Sequence, residues 1–394
     1  MSDERLHKLL VRAGDDGRAS AERRTWPVIE AAFAAERPRS RPYRSRAILA
    51  LALAAAALLA AVAVTRPGAA VADWLRDQIV GKPGVKHPAP ALTHLPAGGR
   101  VLVVSAGGVW VVQSDGSRRL LPGYAGATWS PHGLYLGAWR GHELFAVEPN
   151  GRVHWSLARR GPIRAVDWSP DGYRIAYLSG RSLRVVAGDG TGDVPLRAHV
   201  AAVAPAWRPH APHLLLFAAR PRVVELVAGD VRAVAWRRPL STPVRSLAWS
   251  ADGRVAAVAG DARVIILDGA SGRVRNVIAA PRGFRVGAIA FAHAGSQLAL
   301  ILQTRTGHAR AVTVDALRRS GRPRPLFTGA GRFTRVQWSP NDRWLLISWP
   351  AADQWLFVRS SHVNAIRAVS DIARQFDPGA RTARFPQIAG WCCG

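Results

Sequence analysis

The chain has 394 residues, and its 54 lysine and arginine residues outnumber its 26 aspartate and glutamate residues, which gives a formal net charge of +28. An apolar fraction of 48% supplies a large core and excludes a chain that is disordered throughout. The only two cysteines, Cys392 and Cys393, are adjacent, which excludes a disulfide-rich scaffold and a four-cysteine zinc module. The charge is typical of nucleic-acid binding, but only three of the cationic residues are lysines, a bias that GC-rich coding also produces.

Residues 1–46 predict a short helical arm. Ser20 can cap a helix that places Trp26, Ile29 and Phe33 along one side. A segment of this size cannot build a core of its own, so we expect the apolar stripe to bind a partner protein. A loosely ordered tether, held to anionic lipid by its arginines, is the alternative interpretation.

Residues 47–64 form a run of 18 residues without a polar side chain. As a helix the run would be about 27 Å long, close to the bilayer core of about 30 Å. The 46 residues ahead of it are too many for the first part of a cleaved signal peptide. We therefore predict an uncleaved transmembrane helix. Arginines crowd its N-terminal side, which places the arm in the cytoplasm and the rest of the chain outside the cell membrane.

Residues 65–97 predict a juxtamembrane helix followed by a stalk. Val71, Trp74 and Leu75 would lie on one side of the helix, and tryptophan is common at the membrane interface. Four prolines follow between residues 81 and 99, which indicates a semi-rigid spacer.

The remaining residues, 98–394, contain a repeated motif whose clearest copy is Trp-Ser-Pro-Asp-Gly, from Trp168 to Gly172. Proline presets the first corner of a tight turn, aspartate accepts local backbone hydrogen bonds, and glycine takes a positive φ. The aromatic residues of the six copies are Trp129, Trp168, Trp207, Trp249, Phe291 and Trp338, at spacings of 39, 39, 42, 42 and 47 residues. Units of about 40 residues with four antiparallel strands indicate β-propeller blades, with the tryptophan packed between neighbouring units.

A seventh blade follows from the two ends of this region. Residues 100–121 carry three strands without a motif ahead of them, and Trp391 supplies the missing aromatic residue. Pairing of the N- and C-terminal strands in one composite blade removes the free sheet edges. We therefore predict an all-β fold, a seven-bladed β-propeller over residues 98–394, preceded by the helical arm, one transmembrane helix and the stalk.

At these motifs the chain resembles the TolB-like family of WD-type β-propeller repeat proteins, whose signature is the Trp-Ser-Pro-Asp-Gly turn. The resemblance covers about 300 residues and implies the fold rather than an activity. Phe291 and Ala211 depart from the pattern, so we expect altered turns in those two units. The order of arm, membrane span and outer domain is similar to that of anti-sigma-type regulators. However, the arm lacks the zinc-binding His/Cys set that many of those proteins carry.

The sequence contains no motif of a known enzyme class. Gly-x-Ser-x-Gly, P-loop and His-Glu-x-x-His patterns are all absent. The acidic residues of the outer domain fall mostly in turns, so we expect no enzyme activity, no cofactor and no metal site. A hydrolase or lyase at the channel mouth is the less favoured hypothesis. Cys392 and Cys393 are predicted to be small, partly buried residues beside Trp391, with a vicinal disulfide or reactive thiols as the alternatives.

The candidate binding site is a set of arginines at one end of the predicted blades. Those that precede or begin the inner strands are Arg164, Arg245, Arg285 and Arg335. Those in loops between second and third strands are Arg140, Arg181 and Arg222, together with Arg220 and Arg305. In this strand order both kinds of loop share one face, which predicts a positive surface around the channel mouth for an anion. Because arginine is abundant everywhere in the chain, chance accumulation is the alternative.

These features predict a membrane-anchored, extracytoplasmic propeller that acts as a sensor or regulator of the cell envelope. Its expected partners are a protein or an anionic envelope ligand on the propeller face, and a cytoplasmic protein on the arm. Nucleic acid is disfavoured by the extracytoplasmic placement and by the lack of stacking platforms. A passive envelope scaffold is the alternative function.

Overall fold

A computed structural model describes residues 91–229, 232–318, 323–361 and 365–393. The predicted arm and transmembrane helix, and the predicted stalk up to residue 90, lie outside the described residues. None of the helices in the described ranges has the length and apolar character that a bilayer crossing requires.

The aromatic residue of each of the six motif copies ends the first strand of a four-stranded antiparallel sheet. With a seventh sheet formed by the two ends of the region, these sheets make up blades 1 to 7 of the fold. Blades 1 and 2 contain β1 (Arg100–Ser105), β2 (Gly108–Val112), β3 (Arg118–Pro122), β4 (Gly126–Trp129), β5 (Leu136–Arg140), β6 (Glu143–Val147) and β7 (Val153–Ala158). Blades 3 and 4 contain β8 (Ile163–Trp168), β9 (Arg174–Ser179), β10 (Ser182–Ala187), β11 (Val194–Arg197), β12 (Ala206–Trp207), β13 (Leu214–Arg220), β14 (Val223–Ala228) and β15 (Val234–Pro239).

The other three blades repeat this order. Blades 5 and 6 contain β16 (Ser246–Trp249), β17 (Val255–Ala259), β18 (Arg263–Asp268), β19 (Val274–Ala279), β20 (Phe284–Phe291), β21 (Gln297–Thr304), β22 (His308–Asp315) and β23 (Arg324–Ala330). Blade 7 contains β24 (Val336–Trp338), β25 (Trp344–Trp349), β26 (Gln354–Arg359) and β27 (Ile366–Val369), with a 3-10 turn at Pro350–Ala352. The short helix α1 (Ile372–Phe376) precedes β28 (Gln387–Cys392), which pairs with β1 in blade 1.

The first strand of each motif-led blade lies innermost. Each of these strands contacts the corresponding strand of the next blade, and β28 contacts both β4 and β24. The seven inner strands therefore form a closed ring, which confirms the predicted all-β seven-bladed propeller.

The composite blade closes the ring as the sequence predicts. Trp391 of β28 lies opposite Val101 of β1, is buried, and donates its indole N–H to the carbonyl oxygen of Gly98 over 2.9 Å. Leu92 and Leu95 are also buried, in a cluster shared with Trp391 and with α1. The chain just ahead of β1 therefore contributes to the core of the closing blade.

The motif tryptophans join neighbouring blades. The indole N–H of Trp207 donates to the carbonyl oxygen of Asp167 (3.1 Å), and that of Trp249 donates to Ala206 (3.0 Å). Each acceptor immediately precedes the motif tryptophan of the preceding blade. The predicted packing of tryptophan between units is thus confirmed, and it includes a hydrogen bond that the sequence motif alone does not reveal.

The motif turn is held by its serine. In blade 3, Ser169 Oγ accepts the backbone N–H of Arg174 (2.9 Å) and donates to Asp171 Oδ1 (2.5 Å). Gly172 has φ +75°, a left-handed conformation that suits glycine, and its N–H donates to the carbonyl oxygen of Ser169. The polar side chain of Ser169 can be buried because its hydroxyl both donates and accepts a hydrogen bond. It pairs a backbone N–H that the sharp turn would otherwise leave without a partner.

The two departures from the motif do alter their turns. In blade 4 the left-handed residue is His210, one position ahead of Ala211. In blade 6 the serine and aspartate of the motif are missing, and Asp342 of blade 7 makes hydrogen bonds to this turn. Its carboxylate accepts the backbone N–H groups of His293 and Ala294, each over 2.8 Å. The degenerate turn is therefore held to the neighbouring blade by two hydrogen bonds.

Candidate functional site

Connections in an antiparallel meander alternate between the two ends of a blade. One end carries the links from each fourth strand to the next blade and from second to third strands. We call this end the arginine face, after the predicted residues Arg140, Arg164, Arg181, Arg222, Arg245, Arg285 and Arg335. All seven lie at that end, and all seven are exposed. The opposite end, which carries the motif turns, is called the turn face.

Two of the seven predicted arginines are paired. Arg140 lies 3.2 Å from Glu143, and Arg245 lies 3.1 Å from Asp261, both as exposed surface pairs that contribute little to stability. The other five make no ion pair within the described residues. The structure brings the seven side chains to one end of the propeller, and their role in binding remains a prediction.

Further cations on the arginine face were missed in the sequence. Arg160, Arg282 and Arg332 lie in links between blades and are exposed. Arg160 and Arg282 lie eight and nine residues ahead of the motif aromatic residue, farther than the predicted set. Arg332 lies six residues ahead of Trp338, the same spacing as Arg285 ahead of Phe291, so it could have been found. Their presence increases the positive charge at this end of the channel.

Several acidic residues lie in turns of the turn face, as expected from the sequence, which predicts that acidic residues fall mostly in turns. They are Asp115, Glu148, Asp171, Asp189, Asp252, Asp268, Asp315 and Asp342. Hydrogen bonds from the hydroxyl and the backbone N–H of Ser117 lower the pKa of Asp115, and those from Thr191 do the same for Asp189. These turn carboxylates are therefore ionised at neutral pH. The arginine face also carries acidic residues, among them Glu143 and Asp261, and the turn face also exposes arginines, so each end of the propeller carries charges of both signs.

One acidic residue lies in the ring of inner strands. Asp167, in β8, accepts the backbone N–H of Trp207 in the next blade over 3.3 Å. The residue keeps some accessible surface, but its carboxylate is enclosed by protein, and burial raises its pKa to about 7. This environment could not be predicted from the repeat, because the residue before the motif aromatic residue carries no charge in any other blade.

The raised pKa of Asp167 predicts a pH-dependent stability. Its folded pKa exceeds the unfolded value, so the native protein loses stability as the pH rises from about 4 to about 7. Asp167→Asn abolishes this loss and keeps an oxygen acceptor for Trp207. We expect the unfolding free energy of the variant, relative to wild type, to rise by up to about 4 kcal/mol between pH 4 and pH 8 in urea titrations.

Asp268→Asn is the control for that measurement. Burial opposes ionisation of Asp268, but hydrogen bonds from Arg275 and Ser271 outweigh it and lower its pKa to about 2. The Asp268 carboxylate is ionised in both states above about pH 5, so its difference from wild type should stay nearly constant from about pH 5 to pH 8. A constant difference for Asp167→Asn as well would contradict the raised pKa.

Two buried carboxylates lie between blades and were not singled out in the sequence. The side chain of Asp193 is 5% exposed and binds Arg159 of blade 2 and Arg184 of blade 3. It also accepts the hydroxyl of Tyr177 over 2.5 Å. Burial raises the pKa of Asp193, whereas the hydrogen bonds from Arg184, Tyr177 and Arg159 lower it. The hydrogen bonds outweigh burial, so the net shift of the pKa is downward. Glu225 in blade 4 is likewise buried beside Arg197 and Arg237, which come from two different blades.

The cysteines and the metal-binding residue types give no further site. Cys392 and Cys393 are joined in a vicinal disulfide at the end of β28, which was the less favoured interpretation of the sequence. Within the described ranges, no group of three or more His, Cys, Asp or Glu residues is placed to hold a metal ion.

Known protein structures share this fold, although no family model or curated sequence is similar. No protein-family model matches the sequence, and no curated protein sequence matches it. Among solved structures, a chain of the Mitotic Checkpoint Complex has a TM-score of 0.54 at 16% identity, covering 72% of this chain and 97% of that one. The C-terminal WD40 domain of Sif2 has a TM-score of 0.53 at 12% identity, covering 69% and 82%. The Cps50 (Swd1) β-propeller domain of Myceliophteria thermophila has 0.51 at 14%, covering 63% and 87%.

These similarities define the class of fold. The described residues form a WD40-type seven-bladed β-propeller. At identities of 12% to 16% the similarity concerns the fold alone. The narrower TolB-like resemblance and the anti-sigma-type layout stay predictions.

Proposed function

We propose that this protein is a binding module whose arginine face takes an acidic protein surface. The observation that supports it most is the set of five predicted arginines that are exposed at one end of the propeller without an ion-pair partner in the described ranges. Charges left unpaired at the rim of a channel attract and orient a partner of opposite sign. One similar propeller belongs to a multiprotein assembly, the Mitotic Checkpoint Complex, which is consistent with a protein-binding role.

The proposal includes the membrane topology that the sequence predicts. Residues 47–64 would anchor the chain, with the arm in the cytoplasm and the propeller outside. Binding at the arginine face would then alter what Trp26, Ile29 and Phe33 hold in the cytoplasm, which makes the protein a sensor or regulator of the envelope. A passive scaffold is the second candidate. Deletion of residues 2–36 separates the two, because a scaffold keeps its function without them.

The proposed activity is binding rather than catalysis. The exposed groups at the arginine face are mainly guanidinium groups. Their pKa is far above neutral pH, so they stay protonated and are not suited to act as general acids or bases. An anionic envelope ligand is the alternative partner for the same surface, because both ligands offer carboxylate or phosphate oxygens to arginine.

Charge reversal tests the proposal. We expect the triple variant Arg164→Glu, Arg285→Glu and Arg335→Glu of the full chain to bind fluorescein-labelled poly-glutamate at least tenfold more weakly in fluorescence anisotropy at 100 mM salt. Salt dependence should also fall, because fewer counterions are released.

A second triple variant controls for net charge. Arg254→Glu, Arg273→Glu and Arg343→Glu make the same change at three exposed turn-face positions. This control should lose less than threefold in affinity. Equal losses in the two triple variants would show that poly-glutamate senses only the total charge, and the proposed face would be wrong.

A further inference from the structure

A groove between blades 2 and 3 opens on the turn face, at the end of the propeller opposite the arginine face. Its volume is about 590 Å³, which is within the range of ligand-binding pockets and large enough for several side chains of a bound segment. The side chains that give it its chemistry are Tyr135, His154, Trp155, Trp168, Tyr173 and Asp189. Five aromatic rings and one carboxylate therefore share a single open groove.

Two large hydrophobic side chains are exposed at or beside the groove: Tyr173 lines it, and Leu134 immediately precedes the lining residue Tyr135. Tyr173 is 73% exposed, and Leu134, at the same turn position of the neighbouring blade, is 64% exposed. Both stand five residues after the motif tryptophan. In the other four motif copies that position holds Pro212, Arg254, Ser296 and Arg343. Exposed hydrophobic residues thus occur at this position only in the two blades that border the groove, as in a binding surface.

The aromatic walls are held in place by specific contacts. The indole N–H of Trp155 donates to the carbonyl oxygen of Gly188 over 2.9 Å, and Gly190 leaves room for the ring, because a Cβ there would lie 2.7 Å from it. The ring of Tyr135 packs edge-on against His154, whose Nε2 lies 2.7 Å from Glu148. A groove with fixed walls loses little conformational entropy when a ligand enters.

The charge of the groove is opposite to that of the whole chain. Asp171 is paired with Arg174, and Glu148 is paired with His154 and Arg152. Asp189 makes hydrogen bonds to the hydroxyl and backbone N–H of Thr191, which lower its pKa, but it has no cationic partner among the described residues. Aromatic faces beside an unpaired carboxylate form a site for a cation.

We infer that this groove binds an arginine-bearing segment of a partner protein, with the guanidinium group against the aromatic wall and paired with Asp189. A guanidinium is planar and weakly hydrated, so it stacks on aromatic rings and donates to a carboxylate at once. The groove is open along the turn face, which admits a chain segment rather than only an isolated small molecule. The site lies at the other end of the blades from the arginine face, so the propeller has room for two partners of opposite charge.

The test uses the full chain and two fluorescein-labelled hexapeptides, Gly-Ala-Arg-Arg-Ala-Gly and Gly-Ala-Gln-Gln-Ala-Gly. In fluorescence anisotropy we expect the arginine peptide to bind at least tenfold more tightly than the glutamine peptide. Tyr173→Ala and Asp189→Asn should each weaken binding of the arginine peptide at least fivefold. Thermal unfolding should be nearly unchanged in Tyr173→Ala, because the side chain is mostly exposed.

Asp115→Asn is the matched control. Asp115 occupies the same kind of turn in blade 1, on the same face, with hydrogen bonds to Ser117 that repeat those of Asp189 to Thr191. This variant should bind the arginine peptide as wild type does. Equal binding of the two peptides, or equal affinities of wild type and the Tyr173→Ala and Asp189→Asn variants, would overturn the inference.

Sedimentation identifies a competing occupant. We expect the wild-type chain to show no self-association that is lost in the Tyr173→Ala variant. If it does, a second copy fills the groove, and the inference of a partner segment is wrong. None of these measurements involves the arginine face, so their failure leaves the proposed function standing.

Discussion

Replacing Asp193 by alanine is expected to lower the free energy of unfolding by about 3–5 kcal/mol. The carboxylate is 5% exposed and neutralises two arginines, Arg159 and Arg184, that are themselves largely buried. Its removal leaves two guanidinium groups in a site of low polarity, and it deprives the hydroxyl of Tyr177 of its acceptor. The cost of an unpaired buried charge is much larger than the net gain from forming the pair.

Urea denaturation followed by tryptophan fluorescence measures this loss. Asp189→Ala is the control, because the residue lies four positions earlier in the same turn and binds only Thr191 at the surface. Its loss should be far smaller than that of Asp193→Ala, because hydrogen bonds of exposed groups contribute little to stability. Comparable midpoints for the two variants would show that the buried network does not hold blades 2 and 3 together.

The position of this network explains its expected importance. The indole N–H of Trp168 has no hydrogen-bond partner among the described residues, whereas those of Trp207 and Trp249 donate to the preceding blade. Blades 2 and 3 therefore lack the hydrogen bond that joins blades 3 and 4. Asp193 of blade 3 and Arg159 of blade 2 supply a polar link at that same junction.

The fold could be predicted because its determinants are local. The motif turn is held by bonds from Ser169 to residues within five positions, so the sequence shows each copy directly. The spacing of these turns by about 40 residues is then long enough for four short strands in each unit. The arginine face could be predicted for the same reason, since alternating strand directions decide the end at which a loop lies.

The sites between blades could not be predicted, because their members come from different repeats. Arg159 and Asp193 are 34 residues apart, and which side chains meet across the junction depends on the packing of one sheet against the next. The aromatic groove did leave a signal in the sequence. Leu134 and Tyr173 are hydrophobic at a turn position that is proline, serine or arginine elsewhere, and comparing copies position by position would have revealed them.

Replacing Trp391 by alanine is expected to cost about 3–5 kcal/mol, because a large buried side chain is removed from the strand that closes the ring. The indole packs edge-on against Phe357 at 5.6 Å and donates to the carbonyl oxygen of Gly98. Trp391→Phe retains most of the apolar contact and loses the hydrogen bond, so it should cost about 1 kcal/mol beyond the change in size. Urea midpoints of the two variants separate packing from hydrogen bonding.

The motif aromatic position of blade 6 provides a comparison for Trp391. Phe291 is only partly buried and lies within a blade that is continuous in the chain, so Phe291→Ala should cost less than Trp391→Ala. Deletion of residues 387–394 should have the largest effect, because it leaves the backbone of β1 without its partner strand. An unpaired edge of that kind recruits other chains, and we expect aggregation in light scattering. A soluble, monomeric deletion variant with the wild-type midpoint would show that the ring does not depend on β28.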